Sequence, residues 1–498
     1  MRRIICISFI IGISCLGGCK KFLDVKPIDR LSDATYWKTK QDVESAVADV
    51  YGHLFDVLTY GPFIPASGDM RAGEFINGHN YGGNWFDLFR CVGINDLNFR
   101  TLTGPAVTTG NLYNLDKLSD WYTFYQSIAA CNIDIERIPQ VKVLSPDEIK
   151  QYVAEVRFVR AFTYFFMCRL YGDVPSYTEP YDKTARPRSP MMDVLQFCLN
   201  ECEAIKDALP WQYQDPTQWG VRAARGSVYA LMANINMWMA GFSNVKEKYW
   251  QATSDAVDSI RNSGYFQLLP IEDYHTLYKG RTRESLFEFE VNANYSTTTR
   301  YVVISTWMMH APLYNNYAYS DCWFSADYIK RLFPSDEADS RRDLWFYLPY
   351  VGNNTTMFKK FSNIVKQVTG SSWLLDDNLM IFRYGGILLL GAEAKADLKM
   401  DADAIALLNM VRTRAHAKAY EPSDGNLDEF IFWERQRELI GEGVRWYDLV
   451  RTGRVMDPKE CEDYLTPLQF SRGGWTWPID PKARVNNPNI QLNSYWTN

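Results

Sequence analysis

Ser145-Pro146-Asp147-Glu148 stands directly before a long run in which apolar residues recur at helical spacing. Serine at the cap, proline at the first helical position and glutamate three residues after the serine satisfy orphan backbone donors reciprocally, so the tetrapeptide marks where a helix begins. The spacing predicts a helix to about position 170 that buries Ile149, Val153, Val156, Phe162 and Phe166, with Gly172 and Pro175 ending it. Ser189-Pro190 opens the next helix in the same way, down to Leu209, and Pro210 stops it. Before these, Thr39 reads as the cap of a helix over 41–55 with Val43, Val47, Val50 and Leu54 on one stripe. Trp121, Tyr125, Ile128, Ala129, Asn132 and Ile135 share one face of a helix over 120–138. Further helices are predicted at 223–240, 247–262, 379–399, 402–416, 427–441 and 444–451. A lone helix pair cannot bury its apolar face, so the recurrence predicts stacked pairs. The tetratricopeptide type, two helices in about 34 residues, fits best in length.

The pairs differ in sequence and are interrupted. Residues 59–118 are rich in Gly, Asn and Pro with little periodicity, and read as long loops. From 264 to 375 the helical pattern largely fails, apart from a period-two alternation at Leu286-Phe287-Glu288-Phe289-Glu290-Val291 that predicts a short strand. The fold class is therefore mostly α: a tetratricopeptide-like helix-pair scaffold with long irregular insertions and a few short strands. The division read from the chain is a leader over 1–18, a tether over 19–38 and one domain over 39–498. Within that domain a helical-repeat part covers 39–263, a loop-rich part 264–376, and helices and tail 377–498.

The leader carries Arg2 and Arg3, an apolar run over 4–16, and then Leu16-Gly17-Gly18-Cys19. Small residues before a cysteine suit a bacterial lipoprotein signal peptidase, which predicts a mature chain starting at Cys19 with lipid on its sulfur and amine. An ordinary secretory signal with an incidental cysteine is the plainer alternative. The run falls short of the roughly 20 residues that cross a bilayer. The whole chain has 53 Lys and Arg against 59 Asp and Glu. A mildly acidic protein argues against a nucleic-acid partner, which needs clustered basic residues. Of ten cysteines, Cys6 and Cys15 leave with the leader and Cys19 takes lipid; the scattered, odd remainder is no disulfide framework. Cys198 and Cys202, one helical turn apart, are expected to pack inward. No CxxC and no histidine pair at metal-ligand spacing occurs, so no structural zinc site is expected, and no cofactor beyond a structural calcium ion, which the residues leave open.

Four stretches together resemble the SusD/RagB family, surface lipoproteins of Bacteroidetes. They are Cys19-Lys20-Lys21-Phe22-Leu23-Asp24-Val25-Lys26-Pro27; Ala154 to Phe162 with Tyr171-Gly172-Asp173-Val174-Pro175; Arg383-Tyr384-Gly385 to Ala394 with Asn409 to Ala415; and Glu434-Arg435 to Glu438-Leu439 with Glu442-Gly443-Val444-Arg445-Trp446-Tyr447-Asp448. The ending Asn487-Pro488-Asn489-Ile490 also fits. The resemblance implies lipid anchoring on the outer face of the outer membrane, a SusC-like TonB-dependent transporter as partner, and a non-catalytic role in capturing oligosaccharides. Peptide cargo is the alternative within the family, and a surface glycoside hydrolase a more remote one. No GxSxG, HExxH or P-loop is present. Calcium occurs in the family, but no D-x-D-x-D-G loop is found here. Asp401-Ala402-Asp403 reads instead as a solvated helix start.

Each recognisable stretch also has a local physical reading. Arg157, Arg160, Arg412 and Arg414 are expected to serve helix packing. Arg445 can pair with Glu442 or Asp448 at one-turn spacing, and Trp446 should fill a groove against a neighbouring helix. The site is therefore sought elsewhere. Aromatic residues make up 15% of the chain, and some bunch where periodicity fails. A sugar lays its C–H face on a ring and turns its hydroxyls to polar neighbours, which suits Tyr and Trp flanked by Asn, Asp and Arg. Two irregular regions offer that mixture: Asp69, Arg71, Tyr81, Asn84 and Trp85 in the first, and Trp307, Tyr314, Asn316 and Trp323 in the second.

Overall fold

The computed structural model describes residues 36–59, 63–77, 118–294, 303–314, 318–366 and 373–497. The leader and Cys19 lie outside these. Eleven helices carry the scaffold and are numbered in chain order: α1 Lys40–Thr59, α2 Tyr122–Arg137, α3 Pro146–Tyr171, α4 Met191–Ile205, α5 Arg225–Phe242, α6 Glu247–Asn262, α7 Ala326–Leu332, α8 Tyr384–Asp397, α9 Asp401–Arg414, α10 Leu427–Leu439 and α11 Arg445–Arg451. From α1 to α6 each helix packs on the next; α6 then packs on α8, and α8 on α9 and α10. This sequential stacking is the arrangement the helix recurrence predicts.

The cap of α3 forms as read. Ser145 Oγ accepts from the Glu148 amide at 3.3 Å, and Glu148 Oε2 accepts from the Ser145 amide at 2.8 Å. Beyond Arg157 the helix is apolar nearly all round, and every residue from 158 to 168 is buried. It is the central helix, covered by α1, α2 and α4 and touched by the strand residue Phe287, whose ring lies 4.9 Å from Phe158. Ile149 and Val153 are only partly buried and pack against the edge of the core. Ser189 does not cap α4. It forms a bridge with Val174, and Asp173 Oδ1 accepts the Met191 amide at 2.8 Å instead, so the cap comes from the preceding turn.

The larger departure is at 379–399, predicted as one helix. Residues Leu379–Arg383 form strand β8, and α8 starts only at Tyr384. A continuous apolar run reads alike as buried strand or buried helix. Here the partner decided: β8 runs antiparallel to β2 (Ser285–Phe289), with Phe289 opposite Leu379 and Ser285 opposite Arg383. The other two-stranded sheets pair β1 (Phe75–Asn77) with β3 (Cys322–Phe324), β4 (Phe346–Tyr347) with β5 (Met357–Phe358), and β6 (Ile364–Lys366) with β7 (Trp373–Leu375). One apolar core runs from Val43 on α1 to Ile490 in the tail. Cys131, Cys168, Cys198, Cys202, Cys322 and Cys461 are buried free thiols.

The arginines of the recognisable stretches hold helices together. Arg157 and Arg160 on α3 both pair with Glu201 on α4, and Arg412 on α9 reaches Glu434 on α10 at 2.6 Å. Arg414 pairs with Glu438, which also receives Arg341 at 2.9 Å and Arg383 at 2.6 Å. Arg445 is a correction. It takes neither Glu442 nor Asp448 but pairs with Glu74, far back in the chain. Glu442 instead faces Lys360 and Arg383, and Asp448 faces Arg435 and Arg451. Helical spacing exposes local partners, whereas burial rewards whichever opposite charge the fold carries inward.

Candidate functional site

The described part of the first aromatic cluster follows a short helix, Phe63–Gly68, and is fastened at each step. A Cβ on Gly68 would stand 2.0 Å from the Gly443 carbonyl oxygen, so the two backbones meet where only glycine fits. Asp69 Oδ2 accepts from the Gly443 amide at 2.8 Å. Arg71 donates to the carbonyls of Gly474 and Trp475, each at 2.7 Å, and its guanidinium lies 4.2 Å from the Trp446 ring centroid. Glu74 then receives Arg445 Nε at 2.9 Å.

With that segment held, Phe75-Ile76-Asn77 emerges as β1 and pairs with β3. Phe75 stands opposite Phe324, Ile76 opposite Trp323 and Asn77 opposite Cys322, and the Ser325 amide extends the ladder to the Glu74 carbonyl at 2.9 Å. The pairing brings together the two regions chosen from the sequence, some 250 positions apart in the chain. Directly opposed residues share a face. Phe75 and Phe324 face the core, where Phe324 meets Phe358 edge-on at 5.4 Å. Trp323 and Ile76 share the other face, and Ile76 is 37% exposed. The buried Trp323 Nε1 has no hydrogen-bond partner among the described residues.

Trp307 ends a 3-10 turn, Ile304–Trp307, whose Ser305 Oγ donates to the Phe361 carbonyl at 2.9 Å. Its own carbonyl accepts the Asp321 amide at 2.9 Å, which ties it to the strand bearing Trp323. Tyr314 is half-buried in the turn that follows His310. Tyr81, Asn84, Trp85 and Asn316 lie outside the described residues.

Three of the candidates are corrected. Asp69 and Arg71 are 6% and 2% exposed and point inward, where they bind backbone of the 443 and 474–475 segments. Both are anchors of the rim. Trp307 is also buried, within the core. The sequence reading missed Glu74 altogether, because its partner Arg445 lies across the fold and no local spacing announces the pair.

Burial raises the Asp69 carboxyl to about 7, against the pull of the Gly443 amide and of Lys360. A carboxyl raised in the folded state contributes stability below its unfolded pKa and loses it as pH rises through the folded value. Asp69→Asn keeps an acceptor for Gly443 and removes that loss. The variant is expected to gain on the wild type by roughly 2–4 kcal/mol as pH goes from about 4 to above 7. Calorimetric melting across that range checks the sign. A difference independent of pH would show that Asp69 is ionised throughout.

Comparisons with known proteins agree with this architecture. The family model described as "SusD family" matches residues 350–496, and one described as "Starch-binding associating with outer membrane" matches residues 21–237. A solved SusD homologue from Bacteroides thetaiotaomicron VPI-5482 superposes with a TM-score of 0.84 at 34% identity, over 92% of this chain and 98% of that one. A solved SusD superfamily protein from the same organism gives 0.75 at 25% identity, over 93% and 99%. The SusD-like protein P38 of Formosa agariphila is 25% identical over 98% of both chains.

Proposed function

The chain belongs to the SusD family, and on that premise we propose that it is a non-catalytic oligosaccharide-binding lipoprotein of the outer-membrane surface. It captures glycan fragments and delivers them to a SusC-like TonB-dependent transporter, held to the membrane by lipid on Cys19. The observation that carries the reading is the β1–β3 pairing, which brings the described parts of the two regions together and sets Ile76, 37% exposed, opposite Trp323, itself 8% exposed. The match of residues 21–237 to a family of starch-binding proteins associated with the outer membrane supports both cargo and place. Among the described residues no helix is long and apolar enough to cross a membrane. Attachment through an acylated N-terminus is consistent with that.

On this reading Trp323, beside the exposed Ile76, offers ring surface to the C–H face of a sugar, with Tyr314 close by in the chain. Tyr81, Asn84, Trp85 and Asn316 are proposed as further contacts from the two clusters. The test is affinity electrophoresis of the mature chain through gels cast with amylopectin, xylan, mannan or pectin. At least one polysaccharide is expected to retard it without being shortened, and Trp323→Ala to weaken that binding by about tenfold. Retardation by none of them, with binding to a peptide panel instead, overturns the glycan cargo. Release of shortened chains overturns the non-catalytic reading.

A further inference from the structure

A cavity of about 720 Å³ opens between α2, the 175–185 loop after α3 and the tail segment 483–490. None of these elements contributes to the β1–β3 rim. The apolar face read from the sequence of α2 divides here. Phe124 and Cys131 are buried in the core and Trp121 and Ile128 are shared between core and cavity, while Tyr125, Ala129 and Asn132 turn to the cavity. The helix thus carries more apolar surface than the core uses.

The rings around the cavity are interlocked. Trp121 meets Tyr125 edge-on at 5.8 Å, and Tyr125 meets Tyr177 edge-on at 5.7 Å. Their hydroxyls turn back to the backbone: Tyr125 donates to the Pro175 carbonyl at 2.7 Å and Tyr177 to the Thr184 carbonyl at 2.8 Å. Ring surface is what remains for the cavity. At its mouth stand Tyr122 and Tyr181, 62% and 58% exposed. Tyr181 holds φ at 59°, a left-handed conformation that non-glycine residues adopt rarely. The loop is fixed in that shape from both sides. Asp182 accepts the Thr184 amide at 2.8 Å and pairs with Arg186 at 2.7 Å. The tail then clips it, with Asn487 donating to the Arg186 carbonyl and Asn489 to the Ala185 carbonyl, each at 2.7 Å. This gives the Asn487-Pro488-Asn489 ending a use: it preorganises the cavity wall.

We infer that this cavity is a second saccharide-binding site, taking a short stretch of pyranose units of a chain held elsewhere on the protein. The inference rests on the glycan reading above. Its volume lies within the roughly 300–1,000 Å³ of small-ligand sites, and its lining combines aromatic rings and aliphatic side chains with several polar groups. The rim supplies an exposed carboxylate, Glu179, and an exposed ammonium, Lys183, neither with a side-chain partner among the described residues. Those are the groups that ring hydroxyls bind, while the rings take the C–H face. A protein partner would be met by a broad, flat surface of about 800 Å² with anchors at its centre; a concave, pre-set slot suits a chain of sugars. Two contacts on one polymer raise avidity for long chains over short ones.

The test uses the mature chain, its Tyr122→Ala/Tyr181→Ala variant and Trp323→Ala, on the same polysaccharide gels and with a trisaccharide of whichever polysaccharide retards the wild type. Both tyrosines are exposed, so the double variant should keep the wild-type melting temperature. It is expected to lose about tenfold in affinity for the polymer, and the trisaccharide is expected to show two binding events that fall to one. Polymer binding equal to wild type in the double variant, with loss only in Trp323→Ala, overturns the second site and leaves the glycan reading standing. So does unchanged polymer binding with lost co-purification of a membrane barrel, which would assign the slot to protein docking. A wild type that no polysaccharide retards overturns the glycan reading itself, and the second site with it.

Discussion

Glu438→Gln is expected to abolish soluble expression or to lower stability by about 3–5 kcal/mol, the cost of leaving buried charge uncompensated. Glu438 is fully buried at the end of α10 and is shared by three arginines from separate parts of the chain. Arg341 follows its own partner Asp339, Arg383 ends β8, and Arg414 ends α9. Burial alone would raise the pKa of this carboxyl, but Arg414, Arg383, Arg341 and Lys360 together hold it far below the ordinary carboxylate range. Its stabilising charge is therefore present at all ordinary pH values and is lost only in strong acid. An amide keeps the shape and removes the charge, so three guanidinium groups would face each other with one anion fewer. Denaturant midpoints of the variant against the wild type measure this. Glu203→Gln, at an exposed pair with Lys206, is the control and should change stability by less than about 0.5 kcal/mol. Equal effects of the two substitutions would mean that the network is no more than a solvated surface cluster.

Arg71→Ala is expected to cost more than about 3 kcal/mol, yet to leave saccharide binding intact in the fraction that folds. The side chain gives charged hydrogen bonds to two buried carbonyls, of Gly474 and Trp475, and sits on Trp446 with Trp477 and Trp496 around it. Truncation strands both carbonyls and opens a hole among indoles. Arg71→Lys should recover only part of the loss, because an ammonium cannot reproduce the two-pronged geometry or the flat stacking. Melting temperature and gel retardation, read together, separate anchor from ligand contact. A variant that melts like the wild type but no longer binds polysaccharide would return Arg71 to the list of ligand contacts.

The two cases explain what could be read in advance. Helix starts were legible wherever the signal is local: Ser145 with Glu148, the stripe of α1, and α6 over the range expected. The β8–α8 boundary was not, since an apolar run says only that both faces will be buried. Arg71 and Asp69 illustrate the same gap at the site. Polar residues among aromatics in an irregular segment look alike whether they face a ligand or a distant carbonyl. The Trp323 side of the rim was legible as an aromatic bunch, but its pairing with Ile76 depends on two strands of three residues each, too short to announce themselves.

Sequence alone determined the stacked-helix class, the family likeness and the residues from which the rim is drawn, because caps, periodicity and motif spacing act over a few neighbouring positions. Tertiary structure decided which charges meet, that Glu74 rather than Glu442 or Asp448 takes Arg445, and that α2 turns part of its apolar face to a cavity instead of the core. Those outcomes depend on burial and on contacts hundreds of residues apart. Electrostatic and hydrophobic energies follow distance in space, which local sequence does not encode.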